Sequence, residues 1–543
     1  MAAATALITA LSTASSAIPL TALWGFEQGG EGRSLLSTAS VLALFFAIAL
    51  RLRSARMAWR LVAAIGLVTA VAAGYVVIQG LEVDPFELIR LASGRVVGSF
   101  GNPIFAGAAL LMGLPLILAG TLAAGGWRSP NIGLAVGAVA AGATAAAIAL
   151  TMARGPWVGA AVAMVLFLAM GWRVLPRHAL RRLVVLVGAS AAVAFGLLIA
   201  IDDPRGGDTS LTATVERAAS IPATASGGLS GRQQMWKTSL QIAVSRPWFT
   251  FEEGSPVVLR HLLGYGPDSF PYVYPLRQQP SLEKTVQLTG NAHNQYINML
   301  VEQGVLGLLV SLGLTLVALA TGGYVLVRRS AAYPWRTRLL LLAVLSALAG
   351  RAAEQLVGVD KLTDTLLFWV LLGLLVGLPV PPPSAGDAPP GSGTVGIRLR
   401  LVVAPLAAAT LVLLAAVTMA QAINPLLAAR DAILSVQARS RSDGFVALDR
   451  MMAATDRAPT VARYRLQTVA LLDEVRNLDV LPPEQRASLL ASALAVLKED
   501  GYAVCDVLWR RRTRAGRSRR SAHGRPAAAA QARIALARGR LRR

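Results

Sequence analysis

The stretch GVLGLLVSLGLTLVALATGGYVLV, at residues 304–327, contains no charged side chain. A run of about 20 apolar residues is long enough to cross a bilayer as one helix. Similar runs recur along the chain, which is 55% hydrophobic and 15% charged with a mean hydropathy of +0.55. This composition excludes an ordinary soluble domain and predicts an all-α fold, a polytopic membrane helix bundle.

Hydropathy predicts about eleven spans. They lie near residues 5–24, 35–50, 60–79, 104–124, 131–151, 156–171, 182–201, 304–327, 338–357, 363–380 and 400–421. With the N-terminus in the cytoplasm, the inner loops hold roughly three times as many Arg and Lys residues as the short outer loops. We therefore expect a multi-pass protein of the cytoplasmic (inner) membrane, with the loop before residue 304 on the extracytoplasmic side.

The predicted domain organisation has five parts. They are an N-terminal transmembrane bundle at 1–201, an extracytoplasmic catalytic loop domain at 202–303, a C-terminal transmembrane bundle at 304–421, a small extracytoplasmic helical domain at 422–504, and an Arg-rich tail at 505–543.

The two C-terminal parts leave alternatives open. Runs such as 446–453, 461–472 and 486–497 have helical spacing and favour short antiparallel helices, either a tetratricopeptide-like array or a plain helical cap. The tail carries more than half of the net charge of +23. It fits a disordered basic arm that touches anionic lipid or polymer, a solvated tail, or an out-of-frame artefact, and we assign it no role and no nucleic-acid partner. The single Cys505 excludes an internal disulfide framework.

The segment GNAHNQY, at residues 290–296, lies where the long polar loop meets the 304–327 span, and it holds one of only four histidines. An imidazole can accept a proton from an attacking hydroxyl or add positive charge beside an anion. His293 is therefore a candidate catalytic residue, and a cap on the helix that begins near Asn294 is the alternative. Asn294, Asn298 and Glu302 follow at four-residue spacing, which predicts a polar helix face lining a wet cavity.

Two arginines on the same side of the membrane are candidates for binding an anion. Ser230-Gly231-Arg232-Gln233 fits a capping box, with Ser230 as N-cap and Arg232 in the first helical turn. Arg154 lies in the tight corner Ala153-Arg154-Gly155-Pro156-Trp157 between two spans. A structural role is open for each: an exposed helix arginine for Arg232 and an interfacial arginine for Arg154. Together, two planar guanidinium groups would suit a diphosphate.

These motifs occur in the order and spacing of the bacterial O-antigen ligase and O-antigen polymerase superfamily, which the chain resembles over roughly residues 90–380. The motifs that carry the resemblance are Gly101-Asn102-Pro103, Ala153-Arg154-Gly155-Pro156-Trp157, Gly231-Arg232 with Trp236, Leu263-Gly264-Tyr265-Gly266-Pro267, Ala292-His293-Asn294-Gln295-Tyr296 and Glu302-Gln303-Gly304. A similarity to members with a C-terminal tetratricopeptide-like region is weaker.

The resemblance implies a membrane glycosyltransferase that uses an undecaprenyl-diphosphate-linked oligosaccharide or polysaccharide donor without a metal or other cofactor. The acceptor would be a glycan, lipid or protein of the cell envelope, with membrane lipids as further partners. The implied catalytic residues are His293, Arg232 and Arg154. The implied substrate-binding residues are Arg154, Arg232, Trp236, Gly264, Gly266, Asn294 and Tyr296.

The residues agree with this chemistry. The four histidines and Cys505 lack metal-ligand spacing, so arginines would neutralise the leaving group, and direct displacement would invert the anomeric carbon. Arg351 and Glu354 could pair to line the cavity or form a structural ion pair. An O-antigen-type polymerase and, from a different class, a lipid-linked saccharide transporter remain alternatives, although a transporter needs no large outer loop.

Overall fold

A computed structural model gives the fold of the chain. It describes residues 1–25, 32–52, 54–84, 95–124, 130–201, 228–249, 257–277, 290–358, 360–378, 427–441, 443–458, 464, 467–468 and 470–471. Every regular element in these ranges is helical, which confirms the predicted all-α class.

We number the helices in chain order. They are α1 (Ala2–Ala14), α2 (Pro19–Trp24), α3 (Leu35–Arg51), α4 (Ala55–Gly80), α5 (Pro103–Ala123), α6 (Pro130–Leu150), α7 (Arg154–Val174), α8 (Arg177–Ile201), α9 (Gly228–Ser245), α10 (Val257–Leu263), α11 (Phe270–Val273), α12 (Gln295–Arg328), α13 (Trp335–Glu354), α14 (Leu362–Gly377), α15 (427–440) and α16 (Gly444–Arg457), with short 3-10 turns at Tyr274–Leu276 and Ser330–Ala332.

Six of the described helices, α4, α5, α6, α7, α8 and α12, are long and apolar enough to cross a membrane. Helices α1, α3 and α14 are apolar but shorter. The predicted first span is divided into α1 and α2, and the predicted span 400–421 lies outside the described residues. The structure thus shows a multi-pass membrane protein, while the count of about eleven spans stays a prediction.

Helices α5 and α13 form the centre of the bundle. The side chains of α5 are buried along nearly its whole length, and α13 packs against both α5 and α7. Helices α7 and α13 cross at two glycines: a Cβ added to Gly159 would lie 2.6 Å from the carbonyl oxygen of Gly350, and the reverse distance is the same. Small residues let helix backbones approach this closely in membranes. The crossing brings the start of α7, with Arg154, to the end of α13.

Helix α12 is broken at Gly304, whose φ of 67° and ψ of −164° are not helical. A break leaves backbone carbonyls without their helical partners, and here other segments satisfy them. The carbonyl of Leu300 accepts from Arg246, that of Val301 from Arg246 and the Tyr265 amide, and that of Glu302 from the Gly266 amide at 2.8 Å. The turn after α10 therefore anchors the first part of α12.

The chain divides into two units, Met1–Ala388 and Pro389–Arg543. In the second unit, α15 and α16 form an antiparallel pair: Asp431 forms ion pairs with Arg450 and Arg457, and Ser435 donates to the carbonyl of Ala447. The helical run predicted at 446–453 is confirmed within α16. The run at 486–497 and the tail lie outside the described residues, so a tetratricopeptide-like array stays a prediction.

Candidate functional site

The two candidate arginines lie in one electrostatic environment. The pKa of Arg232 is lowered from its ordinary value, chiefly by burial, then by the like charge of Arg154, and the nearby Glu354 carboxyl opposes this. A buried guanidinium held beside another positive charge favours a bound anion, because an anion relieves both the desolvation and the repulsion. The structure therefore brings together the two arginines that the sequence analysis selected.

Arg154 is the first residue of α7, and the backbone before it is unusual. Met152 has a φ of 52°, a left-handed conformation that is uncommon for a residue with a side chain. The side chain of Arg95 holds this corner by donating from Nε to the carbonyl of Thr151 at 3.1 Å. A Cβ added to Gly155 would lie 3.5 Å from Glu354 Oε1. The corner thus directs the start of α7 towards the end of α13.

Arg232 is placed by α9, which begins earlier than we predicted. The helix starts at Gly228, so Ser230 is inside it and is not the N-cap, and Arg232 lies one turn further from the N-terminus than expected. The capping-box prediction is therefore wrong, because the helical conformation extends through the small residues Gly228 and Gly231. The guanidinium is half-buried, and its Nη1 donates to the carbonyl of Val357 at 3.3 Å.

His293 adopts a left-handed backbone conformation, with a φ of 48°. Strained conformations of this kind persist where the surrounding structure enforces them, and they are frequent at functional sites. The alternative role, capping of α12, is filled by its neighbour: Asn294 Oδ1 accepts from the amides of Tyr296 and Ile297. The backbone before His293 is fixed from α9, since Trp236 Nε1 donates to the carbonyl of Ala292 at 2.9 Å.

The turn that follows α13 joins these pieces. The amide of Gln295 donates to the carbonyl of Gln355, Asn294 Nδ2 donates to the carbonyl of Leu356 at 2.8 Å, and Arg232 donates to the next carbonyl, that of Val357. Consecutive carbonyls of one turn therefore hold the guanidinium of Arg232 and the residue that follows His293. Neither the role of this turn nor the proximity of Glu354 to both arginines was found from the sequence.

The remaining predicted substrate-binding residues have different positions. Gly264 and Gly266 belong to the turn that anchors α12: a Cβ on Gly264 would lie 2.4 Å from the carbonyl oxygen of Glu302. Tyr296 is half-buried and lines a cavity beside α12. The two glycines therefore act through the backbone, whereas Tyr296 offers a side chain to a ligand.

The polar face of α12 was predicted to line a wet cavity, and this is wrong for two of its members. Asn298 and Glu302 are fully buried. Asn298 Oδ1 accepts from the amide of Ala292, and Glu302 pairs with Arg33 at 3.1 Å. Arg33 also pairs with Asp268 at 3.3 Å, which closes a buried cluster of three charges. This cluster could not be predicted from motif spacing, because Arg33 is far from Asp268 and Glu302 along the chain.

Arg351 does not form its closest ion pair with Glu354, as the spacing suggested. It pairs with Asp364 at 3.1 Å and with Asp360 at 3.6 Å, and its guanidinium lies 4.4 Å from the centre of the Phe368 ring. Residues three apart on a helix are neighbours, but Asp360, just before α14, and Asp364, in its first turn, are better placed for Arg351. Glu354 consequently lies on the side of α13 that faces α7.

Arginines are the cationic groups at this site. In the part of the chain that the structure describes, no three His, Cys, Asp or Glu side chains are grouped so that they could hold a metal ion.

The family model described as O-antigen ligase matches residues 137–312. The matched segment runs from α6 through Arg154, Arg232 and His293 to the middle of α12, so it contains all three candidate catalytic residues. The match confirms the resemblance derived from the motifs. No curated protein matches the chain significantly.

Proposed function

We propose that this chain is a glycosyltransferase with an undecaprenyl-diphosphate-linked saccharide as donor. The match of residues 137–312 to the O-antigen ligase family model supports this proposal. The saccharide passes to a hydroxyl of an envelope glycan, lipid or protein on the extracytoplasmic side of the cytoplasmic membrane. The observation that supports this most is that Arg232, beside the like charge of Arg154, is bound to the turn that also holds the residue after His293.

The diphosphate binds to the two arginines. Each guanidinium can donate two parallel hydrogen bonds to phosphate oxygens, which a lysine ammonium cannot do. As the bond between the anomeric carbon and the diphosphate breaks, negative charge grows on the leaving oxygen. Positive charge fixed beside that oxygen stabilises the transition state more than the ground state.

His293 acts on the acceptor. The acceptor hydroxyl oxygen attacks the anomeric carbon, its proton passes to His293, and undecaprenyl diphosphate leaves with the electron pair of the broken bond. Attack from the face opposite the leaving group inverts the anomeric centre. A positioned general base commonly accelerates such a step by roughly 10²–10⁴-fold.

The donor site is tested by binding of undecaprenyl diphosphate to the purified full-length protein in lipid nanodiscs. Arg154→Lys and Arg232→Lys each retain the charge and lose the planar fork, so we expect affinity to fall at least tenfold. The matched control is Arg336→Lys, an exposed arginine at the start of α13, far from the site. Equal binding by all three variants would refute the assignment.

The role of His293 is tested by transfer. His293→Ala and His293→Asn should both bind undecaprenyl diphosphate normally, unfold at the wild-type temperature and lose transfer by roughly 10²–10⁴-fold. Because Asn294 already caps α12, asparagine at position 293 cannot restore function by capping the helix. Near wild-type turnover of His293→Asn would exclude proton transfer by this residue. In cells, loss of the gene should cause the lipid-linked donor to accumulate on the extracytoplasmic face of the membrane. If the protein were instead a transporter, its loss would leave the donor on the cytoplasmic face.

A further inference from the structure

A cavity of about 90 Å³ lies beside α12, between α1, α3 and the facing ends of α13 and α14. Its wall begins at Gln295 and Tyr296, directly after the turn that carries His293, and follows α12 to Thr315. These limits lie on either side of the break at Gly304. The cavity therefore extends from the level of the candidate site into the helix bundle.

Four buried polar atoms in this wall have no hydrogen-bond partner among the residues that the structure describes: Gln295 Oε1, Arg351 Nε, Gln355 Oε1 and Thr365 Oγ1. The four residues are between 1% and 8% exposed. A buried polar atom without a partner costs about 1–3 kcal/mol, and proteins rarely leave one without a reason. Four of them around one cavity indicate a polar ligand that supplies the missing hydrogen bonds.

Each arginine of the wall already faces two carboxylates. Arg351 is paired with Asp360 and Asp364, and Arg33 with Asp268 and Glu302. An anion would have to compete with these carboxylates. Arg232, by contrast, lies beside the like charge of Arg154, and this environment favours a bound anion. The wall of the cavity therefore suits a neutral ligand, and the diphosphate fits the arginine pair.

The atoms that lack partners are two amide oxygens, one hydroxyl and one guanidinium N–H. A sugar hydroxyl both donates and accepts, so one kind of group can satisfy all four. Tyr296, Phe368 and Trp369 add aromatic surface to the same wall. Ligand sites commonly combine aromatic surface with a few well-placed polar groups.

We propose that this cavity is the acceptor subsite, and that it binds an uncharged, hydroxyl-bearing sugar of the acceptor through Gln295, Gln355 and Thr365. The assignment of the bound sugar as the acceptor rests on the proposed transfer reaction, whereas sugar binding by the cavity does not. The turn after α13 separates it from the donor arginines, and His293 lies at the start of the segment that leads into it.

The probe is radiolabelled octyl β-glucoside below its micellar concentration. Its equilibrium binding to the purified full-length protein in nanodiscs is measured. Thr365→Val removes the hydroxyl that lacks a partner, with almost no change in the shape of the side chain. Gln295→Met removes one side-chain amide. Each lost hydrogen bond should weaken binding about two- to tenfold. The matched control is Ser346→Ala, which removes an equally buried orphan hydroxyl that is not in the cavity wall.

We expect Ser346→Ala and Arg154→Ala to bind the glucoside as the wild type does. No binding to the wild type, or equal binding by Thr365→Val, Gln295→Met and the control, would overturn the subsite and leave only water in the cavity. In the transfer assay, Thr365→Val should raise the acceptor KM and leave the donor KM unchanged. If transfer fails altogether while the glucoside still distinguishes the variants, the proposed reaction is wrong and the sugar-binding cavity stands.

Discussion

Gly304 should be one of the least replaceable residues in the chain, because two independent effects oppose a side chain there. Its φ of 67° and ψ of −164° lie in a region that is essentially restricted to glycine. A Cβ would also lie 2.4 Å from the carbonyl carbon and oxygen of Leu262 and 2.6 Å from the carbonyl oxygen of His261. These contacts are with backbone, which cannot rotate out of the way.

The two effects allow a magnitude to be worked out for Gly304→Ala. The backbone conformation costs about 1–3 kcal/mol for a residue with a side chain. Overpacking against a rigid neighbour costs typically another 1–3 kcal/mol. The total of roughly 2–6 kcal/mol should separate the end of α10 from α12 and release the carbonyls of residues 300–302. His293 would then lose the anchor of its helix, so transfer should fall with stability.

Gly323→Ala is the matched control in the same helix. Nothing lies within 4 Å of a Cβ at this position, and the substitution should be neutral or stabilising by about 0.5–1 kcal/mol. Thermal unfolding of both purified variants in one detergent provides the comparison. We expect the Tm of Gly304→Ala to fall by roughly 5–10 °C and that of Gly323→Ala to stay or rise. Indistinguishable Tm values would refute the argument from the kink.

Further predictions concern the cap, the buried charges and the topology. Asn294→Ala should reduce stability by about 1 kcal/mol, measured by thermal unfolding, because α12 loses its side-chain cap. Arg33→Met should cost about 3–5 kcal/mol, since it leaves Glu302 buried without its cation, and a Tm equal to that of the wild type would exclude a role for this ion pair. In a cysteine-free background, a cysteine at Ser281 should react with a membrane-impermeant thiol reagent in intact spheroplasts and one at Ser330 should not; the reverse pattern would invert the predicted topology.

Local patterns predicted the helices well. The span expected at 104–124 is α5, Pro103–Ala123, because Asn102 caps it and Pro103 suits its first turn. The start of α12 was also expected correctly at Asn294. These boundaries depend on residues that are adjacent in sequence, so the sequence contains the necessary information.

The break in α12 could not be predicted in this way. Residues 304–327 form a continuous apolar run, and a glycine at the start of such a run is compatible with a regular helix. The break depends on the turn at residues 264–266, which supplies amides to the freed carbonyls. Only the tertiary structure shows that these donors arrive at the right place.

The candidate site shows the same division between local and distant information. Motif spacing selected Arg154, Arg232 and His293, but it could not show which charges surround each arginine. Arg33 and Arg351 are paired with carboxylates that come from other helices or loops. Arg232 lies beside the like charge of Arg154, with the Glu354 carboxyl as the opposing charge.

This difference in pairing decides which ligand each part of the site can bind. A diphosphate favours a site where positive charges lie close together, and a neutral sugar needs hydrogen-bonding groups. The turn after α13 holds Arg232 on one side and leads through Gln355 to the cavity on the other. Donor and acceptor would therefore meet across a single turn of backbone, beside a histidine whose conformation the same turn helps to fix. Such an arrangement would align an acceptor hydroxyl with the anomeric carbon, and proximity of this kind can itself lower the barrier by about 7–11 kcal/mol at its upper range.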